Sequence, residues 1–186
     1  MALSMNGADK INLFALVIYI PDPLATFLDQ LRTELVPVCM PHAHVTILPP
    51  RPLSTELGPV IEHARSVISG FAPFDIVAGE VEIFPETDVI FIGLREGERE
   101  LRELYRALNQ GPLAFRSPFE YHPHITLAQD LTHGRVKPLY EVARQKWAAC
   151  PHSRRIRAER AEFVQATTKS TWVDLADFRL AGVPVR

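Results

Sequence analysis

The chain has 186 residues, 47% of them apolar and 23% charged, with a formal net charge of −2. Such a composition fits one soluble domain, or two small lobes sharing a core, and excludes a disordered chain. The near-neutral charge argues against a sequence-blind grip on long nucleic acid, though not against a small anion or the end of an RNA strand. Along the chain, Ile11–Pro21 is the most apolar run, "INLFALVIYIP". It is too short to span a bilayer and has no small-x-small cleavage site after it, so it reads as a buried strand closed by Pro21. A helix follows, with Asp22 as cap, Pro23 at its first position, and Leu24, Phe27, Leu28, Leu31 and Leu35 at three-and-four spacing. Next come a short strand over His44–Leu48 and a helix from Ser54 with Leu57, Val60, Ile61, Ala64 and Val67 on one stripe. Phe74–Phe84 and Val89–Leu94 read as paired strands joined by a turn. A third helix after Gly97 uses Leu101, Leu104, Tyr105 and Leu108 and stops before Gly111-Pro112. The strand His124–Ala128 precedes a fourth helix that aligns Val136, Leu139, Tyr140, Ala143 and Trp147. The strands Ile156–Ala166 and Thr171–Phe178 close the chain, with a hairpin tip near Lys169 and Ser170.

In order, these elements form two similar halves: strand, helix, short strand, helix, strand, then the same again with one extra strand. The expected fold is α+β, a single domain over residues 1–186. It is made of two pseudo-symmetric lobes, about residues 11–86 and 87–180, each an antiparallel sheet backed by helices, with a central cleft between them.

Both short strands carry one pattern. "PHAHVTIL" holds His42, His44 and Thr46, and "YHPHITLAQ" holds Tyr121, His122, His124, Thr126 and Gln129. Residues i and i+2 of a strand point to one face, so His44 stands beside Thr46 and His124 beside Thr126. If the halves are related by a twofold, the two pairs converge on one small space. The hydroxyls would donate to the non-bridging oxygens of a phosphoryl group. One imidazole would take a proton from the nucleophile while the other gives one to the leaving oxygen.

With their spacing and the duplicated order of elements, "HVTIL" and "HITLA" resemble the paired motifs of the two-histidine (2H) phosphoesterase superfamily. The branch they are most similar to is that of the bacterial proteins called 2′-5′ RNA ligases. The resemblance implies a 2′,3′-cyclic phosphodiesterase that leaves a 2′-phosphate, with His44 as acid, His124 as base, and Thr46 and Thr126 on the phosphate. No cofactor or metal is expected, and the implied partner is an RNA terminus or a small cyclic nucleotide. RNA ligation is a lesser expectation, since nothing resembles the lysine-centred motif of an ATP-dependent ligase. Several members carry an arginine a few residues after the second motif, where this chain has Gln129, which cannot clamp an anion bidentately.

Other readings stay open. Arg51 is a candidate for the missing charge and equally a solvated loop residue. His42 and His122 either flank the phosphate or join His44 and His124 in a zinc site. The pocket could also bind an RNA end or nucleotide without turning it over. Tyr121, Phe119, Phe115, Phe84 and Trp172 are candidates for stacking on a base, against the commoner fate of core packing. The segment from Arg135 to Arg160 holds eight Lys or Arg against two Glu, and Glu80–Glu103 holds eight acids against three Arg. That asymmetry is readable as a basic rim or as solvated surface. Two cysteines, Cys39 and Cys150, are too few for a disulfide framework, so a cytoplasmic monomer without membrane association is expected.

Overall fold

The computed structural model describes residues 9–38, 42–132 and 134–182; Cys39 and Pro41 lie outside them. The elements run β1 (Lys10–Tyr19), α1 (Leu24–Leu35), β2 (His44–Arg51), α2 (Leu57–Ser69), β3 (Phe74–Phe84), β4 (Val89–Glu96), α3 (Glu98–Leu108), a 3₁₀ turn (Gly111–Leu113), β5 (Ile125–Ala128), α4 (Val136–Ala148), β6 (Arg155–Ala158), β7 (Arg160–Thr167) and β8 (Trp172–Arg179). The fold is α+β, as the pattern of periods indicates. No helix among the described residues is long and apolar enough to cross a membrane.

Two helix starts follow from backbone chemistry. Asp22 stands just outside α1 and accepts from the Thr26 amide (3.1 Å) and hydroxyl (2.6 Å), satisfying a donor that the helix leaves orphaned. The second helix begins at Leu57 rather than just after Ser54. That later start puts Pro59 in the first turn, where its missing N–H costs nothing; an earlier one would bury the proline in the ladder.

All the strands form two antiparallel four-stranded sheets, ordered β2-β1-β7-β8 and β5-β4-β3-β6. The expected hairpins are present, β3 with β4 and β7 with β8. Halves cut at residues 86 and 87 are nevertheless not the lobes, because that cut falls in the turn of the β3–β4 hairpin. The repeated order of elements is real, but the first half sends β3 across and the second sends β7 and β8. β3 joins the sheet of β4, and β7 joins the sheet of β1. The expected strand Ile156–Ala166 likewise breaks at Glu159, where the chain leaves one sheet as β6 and enters the other as β7.

The exchange leaves one shared core. Leu16 and Ile18 of β1, Ile76 of β3, Ile92 of β4 and the apolar stripes of all four helices belong to a single buried cluster. Each such leucine or isoleucine contributes roughly 1.5–3 kcal/mol of burial. The opposite face of the first sheet has only a small cluster, Ala15, Val17 and Val164, with Tyr19 packed against it. This second face carries the motif residues, since Tyr19 pairs with His44 and Val17 with Thr46.

The segment from Arg135 to Arg160 is not a free basic rim. Arg154 pairs with Glu80, Arg155 with Asp75 and Glu96, Arg157 with Asp75, Arg160 with Asp177, Arg144 with Glu141 and Lys146 with Glu34. The antiparallel pairing of β6 with β3 brings the basic strand onto its acidic counterpart, so the lopsided sequence is balanced in space.

Gly97 makes the tight link from β4 into α3 with φ of +89°, and a Cβ there would lie 2.8 Å from the Asp75 carbonyl oxygen. A left-handed backbone and a clash with main chain both oppose any side chain. Gly97→Ala is expected to lower stability by about 2 kcal/mol in urea denaturation; an unchanged midpoint would contradict the link.

Candidate active site

The two His-x-Thr segments are the inner edges of the two sheets. β2 flanks β1 and β5 flanks β4; no ladder joins β2 to β5 among the described residues, yet the two strands pack against each other. His124 precedes β5 by one residue, and Thr126 lies opposite Phe91.

Each motif histidine is fixed in the same way. The His44 Nδ1 donates to the His42 carbonyl at 2.6 Å, and the His124 Nδ1 donates to the His122 carbonyl at 2.7 Å. A carbonyl can only accept, so the neutral tautomer carries its proton on Nδ1 and leaves Nε2 as the ring's unprotonated nitrogen. Both rings, and the Thr46 and Thr126 side chains, are half-buried.

Burial pushes the His44 imidazolium down to about 4; the His42 carbonyl opposes this, and the positive charges of Arg32, His42 and His124 add to it. His124 is also lowered, again first by burial, with the His122 carbonyl opposing and the His122 charge adding. Burial thus favours the neutral form of both rings.

The upstream histidines sit on aromatic supports. His42 is exposed and stacks flat on Tyr19, with centroids 3.7 Å apart and planes 9° apart. The Tyr19 hydroxyl donates to Asp174 at 2.6 Å. His122 and His124 both meet the stacked pair Phe84–Phe91 edge-on, at 5.1–5.6 Å. The role visible for His42 and His122 is thus to hold a carbonyl in place for the histidine two residues on. The zinc reading finds no support here, because the rings of His42 and His122 lie against aromatic walls. Among the described residues no three His, Cys, Asp or Glu side chains are grouped as a metal-binding set.

Three expectations change. Arg51 does not face the cleft: it is 1% exposed, with Nε on the Pro49 carbonyl (3.0 Å) and Nη1 on Asn109 Oδ1 (2.6 Å) and the Leu113 carbonyl (2.8 Å). The guanidinium lies over the Phe115 ring, which removes that ring as an open platform too. Tyr121 is 8% exposed and stacks on Tyr105 (4.2 Å), so it offers no face to a base. Instead its hydroxyl donates to the Thr46 carbonyl at 2.9 Å. Phe84 is committed to Phe91 and the histidines, while Phe119 and Trp172 remain exposed, at 64% and 43%. Gln129 is exposed, with a 3.4 Å bond to Asp130.

Sequence reasoning missed Tyr19, Asp29 and Arg32. Tyr19 is the polar-tipped residue of an otherwise apolar strand, a faint signal that becomes meaningful only with the β1–β2 register. Asp29 on α1 is held up by burial, against the pull of the Ala43 amide, Arg32 and His42, and its Oδ1 is buried without a hydrogen bond. Nothing in the helical period marks Asp29 or Arg32 as neighbours of the first motif.

The profile of the 2′-5′ RNA ligase superfamily matches residues 20–164. A candidate phosphoesterase of Halalkalibacterium halodurans, BH1439, is 26% identical over 139 residues, which is 74% of this chain and 78% of that protein. Among solved structures, LigT of Escherichia coli superposes with a TM-score of 0.65 at 16% identity, covering 92% of this chain and 97% of LigT. TT0787 of Thermus thermophilus gives 0.64 at 20% identity, over 91% and 98%. LigT has also been solved with phosphate and with 3′-AMP.

Two measurements check this geometry. A histidine whose pKa falls on folding is protonated first in the unfolded chain. Stability present above about pH 6.5 is therefore lost as the pH falls toward 4. Urea midpoints between pH 7 and 4 should fall less steeply in His44→Asn than in the parent, and equal slopes would contradict the burial of that ring. Arg51→Ala strands the Leu113 carbonyl, leaves Asn109 Oδ1 with only the Phe115 amide, and is expected to cost about 3 kcal/mol. Unchanged stability with lost anion binding would return Arg51 to the site.

Proposed function

The chain belongs to the 2′-5′ RNA ligase superfamily, the two-histidine phosphoesterases, and on that basis we propose that it hydrolyses a 2′,3′-cyclic phosphate, at an RNA terminus or on a nucleotide, to a 2′-phosphate. The observation that carries this reading is the matched fixation of His44 and His124. Each spends Nδ1 on a backbone carbonyl and keeps Nε2 for chemistry. The phosphate and 3′-AMP complexes of LigT support a phosphate-bearing ligand for this kind of cleft.

In the proposed reaction one imidazole takes a proton from water as the oxygen attacks phosphorus. The P–O3′ bond breaks, and the other imidazole delivers its proton to O3′. Exchange with solvent then restores both rings. Thr46 and Thr126 donate to the non-bridging oxygens, where negative charge is held through the transition state. The anion itself favours the protonated state of a neighbouring imidazole, so the acid is charged by substrate binding.

Burial lowers both rings, so at whichever ring donates the proton the anionic substrate has to restore the charged form. The family resemblance implies His44 in that role as the acid and His124 as the base. Two histidines supply both proton transfers, so no metal is needed in this scheme.

Gln129 stands where several members carry arginine. Its neutral side chain holds a polyanionic RNA end less firmly than a guanidinium would, which favours a cyclic mononucleotide as substrate.

The test is turnover on a panel of 2′,3′-cyclic nucleotides and cyclic-phosphate RNA ends. Activity should survive EDTA and fall by roughly a hundredfold or more in His44→Ala and in His124→Ala. An aryl phosphodiester, whose leaving group needs no proton, should recover much of the activity of the variant that lacks the acid, His44→Ala in the family's assignment, and little of that of His124→Ala. Tight binding of a nucleoside 2′-phosphate with no hydrolysis anywhere on the panel would instead identify a non-catalytic nucleotide or RNA-end binder.

A further inference from the structure

The site demands a fixed distance between two strands that share no ladder. β2 and β5 are edges of different sheets, and backbone pairing sets the position of neither relative to the other. Among the described residues, one hydrogen bond joins the two motif segments directly, from the Tyr121 hydroxyl to the Thr46 carbonyl at 2.9 Å. Its acceptor belongs to the threonine whose hydroxyl would hold the phosphate. Its donor lies three residues before His124.

Tyr121 is itself held on two further sides. Its ring lies flat on Tyr105 of α3, 4.2 Å away with planes 6° apart. Its carbonyl accepts from Arg102 Nη1 at 2.7 Å, and Arg102 is fixed by Glu98 one helical turn earlier, Nε to Oε1 at 2.9 Å. The helix α3 packs on β2 as well. It therefore acts as a strut that grips Tyr121 of the second motif segment and packs on the strand of the first.

We propose that Tyr121 is a positioning residue, a clamp that sets the separation of the two histidine–threonine pairs so that both reach one phosphate. The proposal deepens the cyclic-phosphate reading and rests on it for its effect on turnover, though not for its effect on anion binding. Tyr121 is 8% exposed and stacked on Tyr105, so its route to the site is through Thr46 and the strand that carries it. Burial holds the phenol well above its ordinary range, so it remains a donor throughout the working pH. An error of about 1 Å in the placement of catalytic groups can cost a hundredfold in rate, so loosening this bond should register in chemistry before it registers in folding.

The test uses the full chain and inorganic phosphate as probe, read by the ring signals of His44 and His124 in NMR. In the parent protein phosphate should shift both rings with a single dissociation constant. In Tyr121→Phe, which keeps the ring and its stack, phosphate binding should weaken about tenfold and kcat should fall tenfold or more, with the two rings no longer shifting together. Trp147→Phe is the matched control. It removes another buried bond, from Nε1 to the Gly79 carbonyl at 2.8 Å, away from both motifs. It should leave phosphate binding and kcat per folded molecule within twofold of the parent. Should Tyr121→Phe fail to fold, Arg102→Gln loosens the same tyrosine from its carbonyl side and should weaken phosphate binding threefold or more.

Coupled shifts and parental affinity in Tyr121→Phe, or in Arg102→Gln when that variant stands in for it, would overturn the clamp. So would an equal loss in Trp147→Phe, which would make the effect one of general stability. The two readings fail separately. Coupled phosphate binding that depends on Tyr121, without hydrolysis on any cyclic phosphate, keeps the clamp and removes the enzyme. Hydrolysis that needs both histidines and ignores Tyr121 does the reverse.

Discussion

The constraint on which the structure depends is the exchange of strands between its two halves. Each half of the chain builds a central strand, a helix and a motif strand and sends a later strand to the other sheet, β3 from the first half, β7 and β8 from the second. β3 thus lies beside β4, and β7 beside β1. This crossing occupies the outer side of each central strand and leaves the motif strands as inner edges. An edge strand has unpaired backbone groups and needs cover. Here the two motif edges cover one another, and the Tyr121 hydroxyl takes up the Thr46 carbonyl. The need to protect two sheet edges and the need to bring two histidines together are met by the same arrangement.

The cost of that arrangement is electrostatic. Imidazoles placed between packed sheets lose solvent, which disfavours their charge, and Arg32 disfavours that of His44 further. Both rings are thereby held below the ordinary imidazole range. In the proposed reaction an anion between them would restore the charge of one, so that the substrate would create the acid it needs. The aromatic supports serve the same end: Tyr19 under His42 and the Phe84–Phe91 pair against His122 and His124 fix rings and carbonyls that would otherwise be free to turn.

Much of this was legible in the sequence, for physical reasons that differ by feature. The four helices were readable because each has a clear apolar stripe, and their ends moved by only a few residues where proline chemistry set the start. The motif pairs were readable because i and i+2 share a face of any strand. The lobe boundary was not readable, since a repeated order of elements does not say which sheet a strand joins. Arg51 and Tyr121 were misplaced for the same reason. Both stand beside a motif in sequence, but Arg51 turns into the carbonyls of Asn109 and Leu113, and Tyr121 turns toward Thr46. Asp29 and Arg32 approach the first motif from a helix, across a contact that only the tertiary fold creates. The basic segment misled because antiparallel pairing of β6 with β3 neutralises it.

The account stands on two imidazole–hydroxyl couples, borne by separate sheets, reaching one tetrahedral centre. A crystal structure of the protein with vanadate bound in the cleft measures this most directly. The account requires the vanadium oxygens within about 2.7–3.2 Å of both Nε2 atoms and both threonine hydroxyls. An anion held by one couple alone, with the other pair turned to a different surface, would contradict it.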